Sequence, residues 1–208
     1  MKILINTPHI TSLGGVANHY LGLKPYFSKK VFYNQYFTSG EIEEKVNIKL
    51  LKWLIRFVLL TFDYIKFVIS LLYHKRPIIL LNPSFGSTAL KRNAIFLKIS
   101  KLLNCKVAVF IHGWDKDYLQ TVLNNKILFS QAWYKADAYF VLASEFKDYL
   151  LQLGIKAPIH LTSTKVDDKL VDGIETKNIE KIKTLLFLAR VEKAKGIFTA
   201  IAAFEIVS

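Results

Sequence analysis

Short apolar runs alternate with longer segments of helical periodicity along the chain. The runs are rich in branched aliphatic and aromatic residues, which is typical of buried strands. They lie at Ile3–Ile5, Val31–Phe37, Ile78–Leu81, Val107–Ile111, Ala138–Leu142, Ile159–Leu161 and Leu185–Leu188. Because most runs are separated by segments in which apolar residues recur every three or four positions, the pattern predicts βαβ units. We therefore expect an α/β fold, with a Rossmann-like parallel sheet and helices on both of its faces.

A polar stretch near the end of the chain predicts a division into two domains. Residues 161–184, LTSTKVDDKLVDGIETKNIEKIKT, show no apolar periodicity, which is typical of a connector between domains. The expected organisation is a Rossmann-like domain at 1–165, a connector at 166–183, and the first strand and helix of a second domain at 184–208.

The segment 46–74 stands out because it is long and strongly apolar. Its polar residues recur at steps of three, four or seven and so lie along one stripe of a helix. Charges interrupt the apolar run every few positions, which argues against a membrane-spanning helix. Seven basic residues and one acid lie between Lys45 and Arg76. Two interpretations stay open: a helix on an anionic membrane surface, with Lys49, Lys52 and Arg56 facing the lipid, or a helix packed between the sheet and its neighbours.

Composition narrows the choice of partners. The 208-residue chain has 29 Lys and Arg against 16 acids, and its net charge of +13 favours nucleic acid, anionic lipid or a phosphorylated small molecule. The single cysteine, Cys105, excludes a framework of internal disulfides. The first residues, MKILINTPHI, have too short an apolar stretch for a signal peptide. We therefore expect a cytoplasmic protein that is peripheral at the inner face of the plasma membrane.

Two candidate sites follow predicted strands, at the ends where open parallel sheets bind ligands. Gly14 and Gly15 precede a helical pattern, so their backbone and the helix N-terminus can approach an anion, although a Gly-Gly pair is also common in ordinary turns. His112 follows the run VAVFI and precedes Gly113. Its imidazole is placed to donate to a phosphate or a sugar hydroxyl, or only to satisfy backbone groups at the strand end.

Two further candidates lie later in the chain. Ser144 is expected to be the N-cap of a helix, with Glu145 in its first turn, and this pair has a mainly structural explanation. Arg190 and Lys195, the latter followed by Gly196, flank a turn between a predicted strand and helix, where two cations can clamp a diphosphate or can simply be solvated. The sequence contains neither a Walker lysine nor a metal-ligand cluster, and no metal is expected.

Taken in order, these parts resemble the retaining glycosyltransferases of family 4, which have the GT-B fold. The resemblance is carried by the first strand with its Gly-Gly loop, by the strand ending in His-Gly, by ADAYFVLASE and by FLARVEKAKGI. In the last of these, Arg190-x-x-x-x-Lys195-Gly196 is similar to the family's GRL-x-x-x-KG turn. The resemblance covers essentially the whole chain, but only half of the family's usual length.

The resemblance implies two facing Rossmann-like domains, the first holding the acceptor and the second the sugar nucleotide. Arg190 and Lys195 would bind the donor diphosphate, Gly15 would approach the donor, and His112 would contact the transferred sugar as the catalytic residue. Gly14, Gly113, Ser144 and Glu145 would support these loops. The implied reaction is retaining, needs no metal or cofactor, and moves a sugar from a UDP- or GDP-linked donor to a lipid-linked or saccharide acceptor in bacterial surface polysaccharide synthesis.

The sequence departs from the family pattern near its end. The family's Glu-x7-Glu motif, which would hold the ribose and the donor sugar, has no counterpart. The string TSTKVDDKL stands in place of the family's NGVD. We therefore expect the 208-residue chain by itself to show no transfer activity.

A different class of function stays open as an alternative: a non-catalytic basic α/β module that binds nucleic acid or an anionic membrane. Against nucleic acid, the basic residues interleave mainly with aliphatic residues, and no recognised binding motif is present. We therefore expect a nucleotide-sugar, an acceptor and an anionic membrane surface as partners, and no nucleic acid.

Overall fold

The computed structural model describes residues 1–9, 14–37, 48–164, 172–173, 184–189, 191 and 195–207. The chain divides into two compact units, Met1–Asp167 and Asp168–Ser208, which are considered separately.

Six parallel strands in the order β2-β1-β3-β4-β5-β6 form the sheet of the first unit. The strands are β1 (Ile3–Pro8), β2 (Val31–Tyr36), β3 (Ile78–Leu81), β4 (Val107–Ile111), β5 (Ala138–Val141) and β6 (Ile159–Leu161). The predicted Rossmann-like parallel sheet is confirmed. The chain leaves β1 first toward β2 on one side and later toward β3 on the other, so β1 is the switch point at which such sheets open a crevice.

Helices cover both faces of this sheet, as predicted. Side chains of successive strand residues point to opposite faces. Val109 belongs to the large core that includes Leu71, Leu97 and Leu150, whereas the next residue, Phe110, lies against His19. One face therefore carries α1 and the other carries α2 to α5. The helices are α1 (Gly15–Leu23), α2 (Lys49–Tyr73), α3 (Ser87–Leu102), α4 (Lys116–Asn124) and α5 (Ser144–Gln152), with short 3-10 turns at Lys24–Tyr26, Lys126–Leu128 and Trp133–Lys135.

Polar side chains of the long helix α2 bond to edge strand β2 and to Phe37, the residue after it. Asp63 Oδ2 accepts a hydrogen bond from the Phe37 N–H at 3.0 Å, and Ser70 Oγ donates to Asn34 Oδ1 at 3.2 Å. Lys66 Nζ donates to the Gln35 carbonyl at 3.0 Å. The polar stripe predicted for this helix exists, and part of it faces the protein.

The opposite side of α2 is exposed and mainly apolar. Large apolar side chains at its first turns and along its length are between 44% and 77% accessible to solvent. They are Ile48, Leu50, Leu51, Trp53, Leu54, Phe57, Val58, Phe62, Ile65, Ile69, Leu72 and Tyr73. We call this set the apolar face of α2. No helix within the described ranges has the length and apolar character needed to cross a bilayer.

The second unit contains the helix α6 (Ile197–Val207). The strand predicted at Leu185–Leu188 is wrong, because residues 184–189 form no strand and Leu185, Leu186 and Leu188 are exposed. A strand needs a neighbour to satisfy its backbone hydrogen bonds. The residues of this unit that the structure describes include no strand that could be such a neighbour.

Candidate functional site

A cluster of polar side chains lies at the carboxyl ends of β3 and β4, beside α1. Asn82 follows β3 and is buried, and its Oδ1 accepts a hydrogen bond from the Tyr20 hydroxyl at 2.5 Å. The same oxygen lies 3.1 Å from His112 Nε2. Asn82 Nδ2 donates to the carbonyls of Asn6 and Leu80, at 3.1 and 3.2 Å. The polar ends of three neighbouring strands, β1, β3 and β4, therefore meet at one amide.

These contacts assign the tautomer of His112. Asn82 Nδ2 faces two backbone carbonyls, which orients Asn82 Oδ1, a pure acceptor, toward the imidazole. His112 Nε2 must then carry the proton and donate to that oxygen. In the neutral ring, Nδ1 is left as an acceptor, so His112 is suited to receive a hydrogen bond from a hydroxyl.

The surroundings of His112 keep it neutral. Burial and, to a smaller extent, the neighbouring His19 together lower the pKa of His112 to about 4. The two imidazole rings lie 5.2 Å apart, and the ring of Phe110 lies 3.8 Å from that of His112. At neutral pH the imidazole is therefore an uncharged hydrogen-bonding group and does not contribute a cation.

Two buried polar atoms at the end of β1 make no hydrogen bond to the described residues. They are Nδ2 of Asn6 and Oγ1 of Thr7, whose residues are fully buried. Asn6 Oδ1 is occupied, since it accepts a hydrogen bond from Asn34 Nδ2 at 2.8 Å. A buried donor without a partner costs free energy, and such groups mark places where a ligand or a water molecule binds.

The Gly-Gly pair lies at the same edge of the sheet. Gly15 begins α1, and His19, one turn later, contacts the ring of His112. No described side chain caps the α1 N-terminus, and a Cβ atom placed on Gly14 or Gly15 would meet no described residue within 4 Å. Within the described part of the chain, the start of α1 thus presents backbone amides to a ligand near His112.

The loop after β4 continues along this edge and leads toward α5. The Gly113 carbonyl accepts from the Phe85 N–H at 2.6 Å, which ties the loops after β3 and β4 together. Trp114 stacks on Phe85 and on Phe146 of α5, at 4.4 and 4.6 Å between ring centroids. Gly113 thus lies at a junction of loops, and its supporting role stays a prediction.

The prediction of Ser144 as the N-cap is wrong by one residue. Ala143 occupies the cap position with an extended backbone, and Ser144 is the first helical residue, without a capping hydrogen bond from a side chain. Strand β5 ends at Val141, one residue earlier than predicted. The connection between β5 and α5 therefore consists of Leu142 and Ala143. Glu145 lies in the first turn as expected and accepts a hydrogen bond from the Tyr149 hydroxyl at 2.7 Å.

The basic residues assigned to the membrane-facing side of α2 have different surroundings. Lys49 is exposed at the start of the helix, while Lys52 and Arg56 are half-buried. Arg56 lines a cavity between α2 and α3. That these three side chains face lipid stays a prediction.

The predicted diphosphate clamp is described only in part. Lys195 is exposed and lies just before α6, where Gly196 has a φ of +80° that favours glycine. Arg190 lies outside the described residues. The pairing of these two cations stays a prediction.

Asn6, Asn82 and Tyr20 were missed by the sequence reasoning. Asn6 directly follows the predicted strand Ile3–Ile5, and Asn82 directly follows Ile78–Leu81. The rule that selected His112, a polar residue directly after an apolar run, selects both asparagines equally well. Tyr20 carries no such signal, because an aromatic residue in an amphipathic helix is usually a core residue.

No protein-family model, curated protein or solved structure matches the chain. In the parts of the chain that the structure describes, no group of three or more His, Cys, Asp or Glu side chains is arranged to hold a metal ion. Fold and site together define a Rossmann-like α/β protein with a polar cluster next to the switch point of its sheet.

Proposed function

We propose that this chain is the acceptor-side domain, with the beginning of the donor-side domain, of a retaining glycosyltransferase of the GT-B class. The reaction is transfer of a hexose from a UDP- or GDP-sugar to a lipid-linked or saccharide acceptor in bacterial surface polysaccharide synthesis, without a metal. The observation that carries the proposal is the cluster of His112, Asn82 and Tyr20 beside the uncapped start of α1.

The chemistry of this cluster suits a sugar. A neutral His112 with a fixed Nε2–H presents Nδ1 as an acceptor for one hydroxyl, in the position after β4 where sheets of this type bind ligands. Asn6 Nδ2 and Thr7 Oγ1, which have no hydrogen-bond partner among the described residues, are further polar atoms at this edge. The amides at the start of α1 suit the negative charge of a nucleotide-sugar.

The apolar face of α2 supports a membrane as the second partner. Eleven large apolar side chains of this helix, and Ile48 directly before it, are exposed, which is more than a soluble surface normally presents together. Residues 48–76 contain six basic residues and one acid, and that acid, Asp63, is buried. An apolar surface with a basic excess is complementary to a bilayer containing anionic lipid, and lipid-linked acceptors reside there.

The test is a transfer assay with protein expressed from the complete reading frame. UDP- and GDP-hexoses are offered with polyprenyl phosphate acceptors in vesicles. His112→Gln keeps a side-chain N–H able to reach Asn82, but its amide oxygen does not occupy the position of Nδ1. The variant should therefore lose one hydrogen bond to the sugar, and kcat/KM should fall about tenfold. His160→Gln, on the neighbouring part of the sheet, is the matched control and should change kcat/KM less than twofold.

Absence of transfer from every UDP- and GDP-hexose would overturn the proposal. Equal effects of the two histidine substitutions would show that His112 does not contact the sugar. Binding of duplex DNA or RNA that is strong at low salt, with no binding to anionic vesicles, would instead favour the basic-module alternative.

A further inference from the structure

A cavity separate from the His112 cluster lies between α2 and α3 and has no role in the function proposed so far. Its volume is about 320 Å³, within the range of small-molecule sites. Among the described residues, Phe37, directly after β2, and side chains of the two helices line it. The cavity is therefore close to the carboxyl edge of the sheet but on the face opposite to α1.

Positive charge from both helices converges on this cavity. Arg56 of α2 and Lys91 and Arg92 of α3 line it. The Arg92 guanidinium lies 4.2 Å from the centre of the Tyr36 ring, and its Nη2 donates to the Tyr36 hydroxyl at 3.2 Å. These contacts fix the orientation of the guanidinium, and a fixed planar fork is well suited to a phosphate.

The beginning of α3 adds backbone donors to the same wall. Ser87 and Thr88 line the cavity and form the first turn of the helix. No side chain caps this turn, and the first helical hydrogen bond runs from the Leu90 N–H to the Gly86 carbonyl. The amides of Ser87 and Thr88 thus have no helical acceptor and favour an anion.

An unsatisfied acceptor faces these donors from α2. Asp63 is 1% exposed and lines the cavity. Its Oδ2 accepts from the Phe37 N–H, while Oδ1 makes no hydrogen bond to any residue that the structure describes. Burial raises the pKa of Asp63 to about 6, against the opposing effects of that N–H, Lys66 and Arg92. A buried acceptor in this state favours a ligand that also brings a hydroxyl donor.

The remaining wall is apolar and leads toward the membrane-binding side proposed for α2. Leu59, Leu60 and Ile95 line the cavity, and Ile95 is 41% exposed. Phe57 and Val58, the neighbours of Leu59 along the helix, belong to the apolar face of α2. A ligand with a polar headgroup in the cavity and a hydrocarbon chain along α2 would match both the charged lining of the cavity and the apolar face of α2.

We propose that this cavity binds the headgroup of a membrane lipid that carries a phosphate and at least one hydroxyl. The phosphate lies with Arg56, Lys91 and Arg92, and a hydroxyl donates to Asp63 Oδ1. The inference rests on the proposed function in one respect: it takes the apolar face of α2 as the membrane-binding surface. The lipid bound in the cavity anchors the chain to the bilayer and is distinct from the sugar acceptor.

The test compares two lipids of equal charge. The 208-residue chain is titrated with phosphatidylcholine vesicles that contain 20% phosphatidylglycerol or 20% phosphatidylmethanol, a singly charged lipid whose headgroup has no hydroxyl. We expect about tenfold tighter binding to phosphatidylglycerol, the effect of one hydrogen bond to a carboxylate. In Asp63→Asn, the Phe37 N–H retains the amide oxygen and the cavity receives an NH₂ group, so the ratio should fall to about two.

A pair of lysine variants distinguishes a specific binding site in the cavity from general electrostatic attraction of the chain to an anionic membrane. Lys91→Ala should weaken binding to phosphatidylglycerol vesicles about fivefold more than Lys98→Ala, because Lys98 is an exposed lysine of the same helix and does not line the cavity. Circular dichroism and thermal unfolding establish that each variant is folded. Equal effects of the two lysine substitutions, or equal binding of the two anionic lipids, would overturn the proposal.

A further arm identifies the source of the phosphate. Dihexanoyl phosphatidylglycerol should bind at least tenfold more tightly than glycerol 1-phosphate, and equal binding would mean a site for a soluble anion and overturn the lipid assignment. None of these measurements contains a nucleotide-sugar. Lipid selectivity without sugar transfer would therefore support the lipid site and overturn the proposed function. Sugar transfer without lipid selectivity would support the proposed function and overturn the lipid site.

Discussion

Asn82 shows how one residue organises the candidate site. Its amide connects β1, β3, β4 and α1, because one end donates to two backbone carbonyls and the other accepts from Tyr20 and His112. These contacts determine which end of the Asn82 amide donates and which accepts. The accepting end in turn determines that His112 Nε2 carries the proton. The chemistry available to His112 is thus determined by a residue 30 positions earlier in the chain.

Two buried titratable side chains make stability depend on pH in opposite directions. The pKa of His112 is lowered from 6.5 to about 4, so between these values the unfolded chain binds the proton and the folded chain resists it. Stability therefore falls as the pH decreases through this window. The pKa of Asp63 is raised from 3.8 to about 6, so the folded chain binds that proton first, and stability rises as the pH decreases from about 6 to 3.8.

We predict opposite pH trends for variants of these residues. The unfolding free energy of His112→Gln, relative to the parent chain, should increase as the pH is lowered from 7.5 to 4.5. That of Asp63→Asn should decrease over the same range, because the parent gains from protonation and the variant does not. Urea denaturation at four pH values measures both. Trends of the same sign would show that these two residues do not have the surroundings described.

At the scale of elements, α2 departs from the usual amphipathic helix because it carries apolar side chains on two sides. Phe67 and Leu71 are buried in the core, while residues such as Trp53 and Ile65 are exposed. Burial of apolar area stabilises proteins by about 25 cal/mol per Å², so an exposed apolar face forgoes this stabilisation unless something else covers it. An anionic bilayer is the cover proposed for it.

We predict that a single charge on the apolar face of α2 disrupts membrane binding. Ile65→Asp should reduce partitioning into phosphatidylglycerol vesicles at least tenfold, because it removes one buried aliphatic side chain and adds a charge. Ile127→Asp is the matched control, since Ile127 is 90% exposed in the turn Lys126–Leu128, and it should change partitioning less than twofold. Vesicle flotation measures the effect, and equal losses in the two variants would contradict it.

The C-terminus of α5, unlike its N-terminus, follows a local sequence signal closely. Just after α5 lies Gly154, whose φ is +91°. The Gly154 N–H donates to the Leu151 carbonyl, and the Ile155 N–H donates to the Leu150 carbonyl. This pair of bonds is the Schellman motif, in which glycine is favoured because its left-handed conformation costs little. Local chemistry is sufficient here, since every participating residue lies within six positions.

At the scale of the whole molecule, the core belongs to the first unit. Every described residue of the hydrophobic core lies between Leu4 and Ile159. In the second unit, Leu186, Val191 and Phe198 are exposed. The net charge of +13 is a property of the whole chain and adds attraction to anionic surfaces that weakens with salt.

We predict that the first unit folds without the second. A chain ending at Thr164 should unfold cooperatively, with a Tm within about 3 °C of that of the 208-residue chain, because the deletion removes none of the described core. Differential scanning calorimetry of the two chains is the measurement. A loss of more than about 10 °C would show that residues 165–208 stabilise the first unit.

The sequence by itself determined the α/β class, the parallel sheet, most strand positions, the helix at 49–73 and the placement of His112 at a strand end. These features depend on local periodicity and on which residues follow an apolar run, and both can be read from residues that are adjacent in the sequence. Only the tertiary structure decided that Asn82 orients His112 and that Asp63 and Arg92 line one cavity. It also decided that α2 turns its apolar face outward. Periodicity gives a helix two faces, but which face is covered depends on the elements packed against it, and these come from distant parts of the chain.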